Sequence, residues 1–145
     1  MLILYSLALA LILIVGSPWW LWRMATTHKY RQGLSERLGI VPARIRSGLA
    51  GAPVLWIHAV SVGEVLAAGR LIDELTQRLP DHRVMISTTT RTGQTLARER
   101  FGADRVFYFP LDFAFAVRSW LRELRPRMLV LLETEFWPRV ISECR

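Results

Sequence analysis

From Pro53 onward, apolar runs of strand length alternate with segments of helical period, each separated by a short polar turn. Val54-Leu55-Trp56-Ile57-His58-Ala59-Val60 has strand length and no polar face, the mark of a strand covered on both sides. Val65, Ala68, Ile72, Leu75 and Leu79 then recur at helical spacing behind Ser61, a prospective N-cap, and Pro80-Asp81 punctuates. The cycle repeats. Strand Arg83–Ser87 precedes helix Thr92–Arg100, with Gly102 past its end. Strand Arg105–Phe109 precedes helix Phe113–Leu124, ended before Pro126. Strand Met128–Leu132 precedes a helix opening at Phe136. Repeated strand–helix units of this length predict an α/β fold: a Rossmann-like parallel sheet with helices on both faces and right-handed crossovers.

The front of the chain is of another kind. Met1 to Trp22 has no charged residue and runs apolar through Val15, with Trp19, Trp20 and Trp22 after Pro18. Crossing a bilayer takes roughly 20 apolar residues, and Trp favours the interface. A cleaved signal peptide would start with basic residues and end in small ones, and neither is present. Residues 1–22 therefore read as a membrane anchor, either spanning or inserted more shallowly, since Gly16-Ser17-Pro18 shortens the clean run. Residues 23–46 hold six basic side chains against Glu36, a net of +5 out of +7 for the chain. That basic flank places the folded part on the cytoplasmic side and favours anionic lipids of the inner membrane. It also accounts for the pI near 10.9. The folded part is nearly balanced in charge, so nucleic acid is not an expected partner. Residues 23–52 read as a basic juxtamembrane helix (Tyr30–Gly39) followed by a linker from Pro42, and 53–145 as the α/β domain. The one cysteine, Cys144, excludes an internal disulfide and reads as a small apolar helix residue.

In an open parallel sheet the ligand sits outside the carboxyl ends of the strands, so the turns after the strands carry the candidate site. The first is Ser61-Val62-Gly63-Glu64. Gly63 permits close approach, and Glu64 either compensates the helix dipole or faces the cleft as a general base. The second, Ser87-Thr88-Thr89-Thr90-Arg91-Thr92-Gly93, offers hydroxyls and an Arg to an anion, or simply a capping run. In the third, Asp112 reads as the N-cap of the next helix. The fourth, Glu133-Thr134-Glu135-Phe136-Trp137-Pro138, places two carboxylates at the end of an apolar strand. One could cap the helix that Pro138 starts; the other would be left at the cleft in need of a partner. No His/Cys/Asp set has metal-ligand spacing, and His58 reads as a satisfied buried histidine.

Taken in order, these segments resemble the N-terminal domain of the Kdo transferases, enzymes of lipopolysaccharide synthesis that transfer 3-deoxy-D-manno-octulosonic acid. The resemblance rests on the apolar N-terminus, Arg31-x-Gly33-x-x-Glu36-Arg37-x-Gly39, Trp56 to Glu64, Ser87-Thr88-Thr89-Thr90-x-Thr92-Gly93, Pro110-Leu111-Asp112 and Glu133 to Pro138. It implies the N-terminal, acceptor-side half of a GT-B glycosyltransferase. Such an enzyme moves Kdo from CMP-Kdo to the lipid A precursor with inversion, without metal or other cofactor. On the family pattern Glu64 is the general base and Glu133 the second catalytic acid. Arg31, Arg37 and Arg91 are expected at acceptor phosphates or the Kdo carboxylate, with Ser61, Gly63, Thr89 and Glu135 also lining the substrate. In that fold the donor nucleotide binds mainly to a second, C-terminal domain. The 145 residues alone are therefore expected to lack turnover, and the alternative is an inactive anchored fragment that binds acceptor or partners only.

Overall fold

The computed structural model describes residues 2–26, 33–49, 51–132 and 137–144, with side chains of the N-terminal helix described over residues 4–19. Helix α1 is Leu2–Thr26, and two short helices follow, α2 (Leu34–Arg37) and α3 (Ala43–Leu49). The alternating part is β1 (Val54–His58), α4 (Val62–Arg78), β2 (Arg83–Thr88), α5 (Arg91–Phe101), β3 (Val106–Tyr108), α6 (Ala114–Leu124), β4 (Pro126–Leu131) and α7 (Pro138–Glu143). The four strands form one parallel sheet of order β3-β2-β1-β4. This is the doubly wound arrangement that the sequence pattern predicts.

Both faces of the sheet are covered, because β1 alternates its side chains between two cores. Val54 and Trp56 join Met85, Phe107, Val117, Trp120 and Val140 on the side of α3, α6 and α7. Leu55, Ile57 and Ala59 join Val65, Ala68, Ile72, Val84 and Ala97 on the side of α4 and α5. All five residues of β1 are buried. By contrast, β4 lies at the sheet margin, and its Met128 is exposed.

Residues 42–53, expected as a linker, instead carry α3. The Pro42 carbonyl accepts from Ile45 N (3.0 Å) and starts the helix, and Ile45 and Val41 enter the core. Full burial of an Ile is worth about 1.5–3 kcal/mol, enough to hold so short a helix in place. Gly48 sits in close packing: a Cβ there would lie 2.9 Å from the Asp104 carbonyl oxygen. The expected helix from Tyr30 to Gly39 is seen over Leu34–Arg37, between Gly33 (φ 74°) and Gly39 (φ 90°). Both glycines are in the left-handed region that other residues adopt at a cost. A side chain at Gly33 would overlap the Tyr108 ring, and one at Gly39 would come within 2.8 Å of Ala116 Cα.

Cys144 lies just beyond α7 and is exposed, whereas an apolar helix position was expected. Among the described residues no helix is long and apolar enough to cross a membrane.

Candidate functional site

The chain runs from β1 outward to β2 and β3, then returns to place β4 on the other side of β1. The topological switch point, where a ligand crevice opens in such sheets, therefore lies between the carboxyl ends of β1 and β4. His58, the last residue of β1, is registered with Ser87 on one side and Leu131 on the other. The turn holding Glu64 leaves β1 here. The strand β4 ends here too, with the Leu132 amide just past it donating to the His58 carbonyl (3.1 Å). Glu133 and Glu135 fall outside the described residues, as does Arg31.

Glu64 is buried, and both its oxygens are held. Val60 N donates to Oε2 (2.7 Å) and the Ser61 hydroxyl to Oε1 (3.1 Å). This is a variant of the capping box, in which the acid three residues into a helix reaches back over its start. Ser61 stands at the N-cap, but its hydroxyl serves the carboxylate instead of accepting from a helix amide. Gly63 is exposed, and a Cβ added there would meet only Ser61 Oγ, at 3.9 Å. No described part of the chain makes use of the missing side chain.

The second turn packs directly on the first. A Cβ on Gly93 would come within 2.9 Å of Thr90 Oγ1 and 3.2 Å of the Ser61 carbonyl carbon, so a glycine here lets the starts of α4 and α5 meet. Thr90 caps α5 by accepting from Gly93 N (3.1 Å), as a capping run would. Thr89 is tied by its amide to the Val60 carbonyl (3.1 Å), while its buried Oγ1 has no partner among the described residues. Arg91, at the first position of α5, is exposed, and its side chain forms no hydrogen bond or ion pair with the described residues.

Arg37 is already engaged within the chain. It donates to the Thr89 carbonyl and lies over the Tyr108 ring, 4.8 Å from its centre, and burial lowers its pKa. Beside it stands Glu36, a buried hub that sequence reasoning passed over. Its carboxylate accepts from Tyr108 N (2.7 Å) and Arg44 (2.6 Å) and pairs with Arg98 (3.4 Å), while its carbonyl accepts from Trp120 Nε1 (2.7 Å). Arg98 in turn donates to the Gln94 amide oxygen (3.0 Å), and the Gln94 nitrogen donates to Thr88 Oγ1 (2.5 Å) and the Phe107 carbonyl (3.1 Å). Paired and hydrogen-bonded on every side, this buried charge fixes α2 to the end of β3 and braces the threonine turn. Its one sequence signal is an acid alone among the basic residues of 23–46.

At the fourth turn the structure reassigns a cap. Asp112 was expected to cap α6, whose N-cap is in fact Phe113 with no side-chain bond. Asp112 is buried and reaches across the fold to α7, accepting from Arg139 N (3.0 Å) and Val140 N (2.9 Å). Pro138 has no N–H, and Ile141 N is bonded to the Trp137 carbonyl (3.0 Å). The first-turn amides of α7 are all satisfied, so no carboxylate from residues 133 or 135 is needed there.

Between these turns lies His58, fully buried and stacked on Phe109 (3.9 Å between ring centres), with Trp137 edge-on at 6.4 Å. Its Nδ1 lies 3.1 Å from the Ser87 carbonyl and 2.9 Å from the Ser87 hydroxyl, which also accepts from Trp56 Nε1. A carbonyl only accepts, which favours the tautomer with the proton on Nδ1 and the lone pair on Nε2. Burial drives the His58 pKa down to about 4, and the ring is neutral at pH 7. Expected to be satisfied, His58 has a partner on one nitrogen only: Nε2, like Trp137 Nε1, has none among the described residues.

A groove of about 470 Å³ lies elsewhere, lined by Asp73, Gln77, Arg100, Phe101 and Asp104 near the carboxyl ends of α4 and α5. Its place at the far end of the strands sets it apart from the switch point.

Fold and turns together define an open, doubly wound α/β domain with acidic and hydroxyl-bearing turns at its switch point. The model of the 3-deoxy-D-manno-octulosonic-acid transferase (Kdo transferase) family matches residues 32–145, and the chain belongs to that family as its N-terminal domain. A 3-deoxy-D-manno-octulosonic acid transferase of Haemophilus influenzae is 38% identical over 120 residues, covering 79% of this chain and 26% of that protein. One from Bordetella pertussis is 36% identical over 135 residues (87% and 30%), and one from Chlamydia pneumoniae 28% over 144 residues (97% and 32%). The chain thus spans about a quarter to a third of the length of these relatives.

Proposed function

We propose that this chain is the acceptor-side half of a GT-B glycosyltransferase that transfers Kdo from CMP-Kdo to the lipid A precursor in lipopolysaccharide synthesis. The supporting observation is topological: the Glu64 turn and the chain entering Glu133 leave adjacent strands on either side of the switch point. Glu64 acts as the general base. Val60 N–H keeps Oε2 in place, while rotation of the Ser61 hydroxyl releases Oε1 to take the proton of the acceptor hydroxyl. The acceptor oxygen then bonds to the anomeric carbon of Kdo as the bond to the cytidylate phosphate breaks, inverting that centre. Glu133 is the second catalytic acid, and the satisfied cap of α7 supports a role for it, and for Glu135, outside helix capping.

Open space at Gly63, the unpartnered Thr89 hydroxyl and the uncommitted Arg91 support acceptor or donor contacts at Ser61, Gly63, Thr89 and Arg91. Arg31 joins Arg91 at anionic groups, while Arg37 serves by holding the Thr89 turn. The apolar helix α1 and the basic flank keep the domain on the cytoplasmic face of the inner membrane, beside an acceptor that is itself a lipid.

The test is Kdo transfer by the full-length gene product carrying Glu64→Gln or Glu133→Gln. Turnover should fall by about 10²–10⁴, the range of a lost general base, with folding and acceptor binding retained. Unchanged turnover in both variants would refute the assignment. The 145 residues alone should bind acceptor without turnover, and turnover by them would refute the split into acceptor and donor halves.

A further inference from the structure

The membrane reading proposed above leaves open whether α1 crosses the bilayer or lies along its surface, and the first turn of the helix distinguishes the two. Ser6 Oγ accepts from the Arg139 guanidinium at 2.7 Å, and the neighbouring Tyr5 hydroxyl lies beside the Asp112 carboxylate. Arg139 and Asp112 are held to each other through the cap of α7, so both contacts fall on one rigid corner of the domain.

At 1.5 Å per residue, Ser6 and Thr26 are about 30 Å apart along the helix, the thickness of the hydrocarbon core. The domain follows the carboxyl end of α1. In a spanning arrangement Ser6 would lie on the far side of the membrane, beyond the reach of any domain side chain. The contact to Arg139 requires the opposite: both ends of α1 on the same side.

The distribution of side chains along α1 agrees. Tyr5, Ser6, Leu9, Ala10, Gly16 and Ser17 are half-buried, and this set holds every hydroxyl of the described stretch. Leu4, Leu7, Leu11, Ile12, Ile14 and Val15 are between 61% and 72% exposed. A surface-lying helix normally needs a polar face because water covers its other side. Here the Tyr5–Ser6 end meets the domain, so the rest of the helix need not be amphipathic. The basic residues Arg23, Lys29 and Arg31, with no acid before Glu36, select what covers the apolar side chains, namely a bilayer with anionic headgroups.

We infer that α1 is an interfacial helix, seated on an anionic leaflet with its first turn docked to Asp112 and Arg139, and does not span the bilayer. The native Cys144, exposed just beyond α7, reports the face on which the domain lies. A second protein carries Cys144→Ser and a cysteine on a short Gly-Ser extension ahead of Met1, which is aqueous in either arrangement. Both are expressed in a bacterial inner membrane and treated with a membrane-impermeant maleimide, in right-side-out and in inverted vesicles. The expected result is that both thiols label in inverted vesicles only, from the same face. Labelling of the two thiols from opposite faces overturns the interfacial helix while keeping the membrane reading. Failure of either protein to sediment with the vesicles overturns both.

Discussion

The neutral, buried His58 makes the stability of this domain depend on pH between 6.5 and about 4. In the unfolded chain a histidine takes up its proton near pH 6.5; in the fold His58 refuses it until about pH 4. Stability from this group is therefore complete above pH 6.5, falls as the pH drops from 6.5 to 4, and changes no further below that. The difference in pKa corresponds to about 3 kcal/mol, at about 1.4 kcal/mol per unit. Against the 5–15 kcal/mol typical of a domain, that is a large fraction.

The comparison protein is His58→Asn, whose amide N–H takes the place of Nδ1–H toward the Ser87 carbonyl and has no proton to gain. It starts less stable because it loses the stacking on Phe109. Every other ionisable group is common to both proteins, so the difference isolates His58. Urea unfolding in detergent, followed by Trp fluorescence at half-unit steps from pH 7 to 4, should show the gap between the two shrinking by about 3 kcal/mol. A gap that stays constant across this range, or an NMR resonance of His58 that titrates near pH 6.5, would refute the neutral buried ring.

Two further outcomes follow from the packing. Asp112→Ala strands the amides of Arg139 and Val140 and should cost about 1–2 kcal/mol, the range of a lost cap; hydrogen exchange should speed at those two amides, and unchanged protection would rule out the long-range cap. Gly33→Ala and Gly51→Ala both place a side chain at φ +74°, but only the first meets another residue, the Tyr108 ring. Thermal unfolding should show a loss of about 1 kcal/mol at Gly51 and at least twice that at Gly33, and equal losses would mean that the ring gives way freely.

The βα alternation was legible because burial on two faces writes itself into composition: Val54 to Val60 has no polar side, and the structure buries all of β1. Strand order was not legible, since nothing in Pro126 to Leu131 says that β4 returns to β1 instead of extending beyond β3. The turns were located correctly, yet their bonding was only partly readable. Ser-x-x-Glu at 61–64 is a local pattern, and the contacts of Glu64 are local. Asp112 is 27 residues from its partner Arg139, so its nearest helix was the wrong guess. Glu36 meets Tyr108, 72 residues away, and only the folded chain shows that a charge in a basic, juxtamembrane segment is buried. The helix α3 was missed for a related reason: its Ser and Gly suggest a turn, and the core contact of Ile45 outweighs them.

The bonds at Leu132 and at Arg139–Val140 have a mechanical consequence for the residues between them. One end of that stretch is fastened to β1 through the His58 carbonyl, the other to the carboxyl end of β3 through Asp112. The two fastenings straddle the switch point, so the separation of Leu132 from the start of α7 is set by the sheet. Loss of either bond would free one margin of the crevice while leaving the other in place.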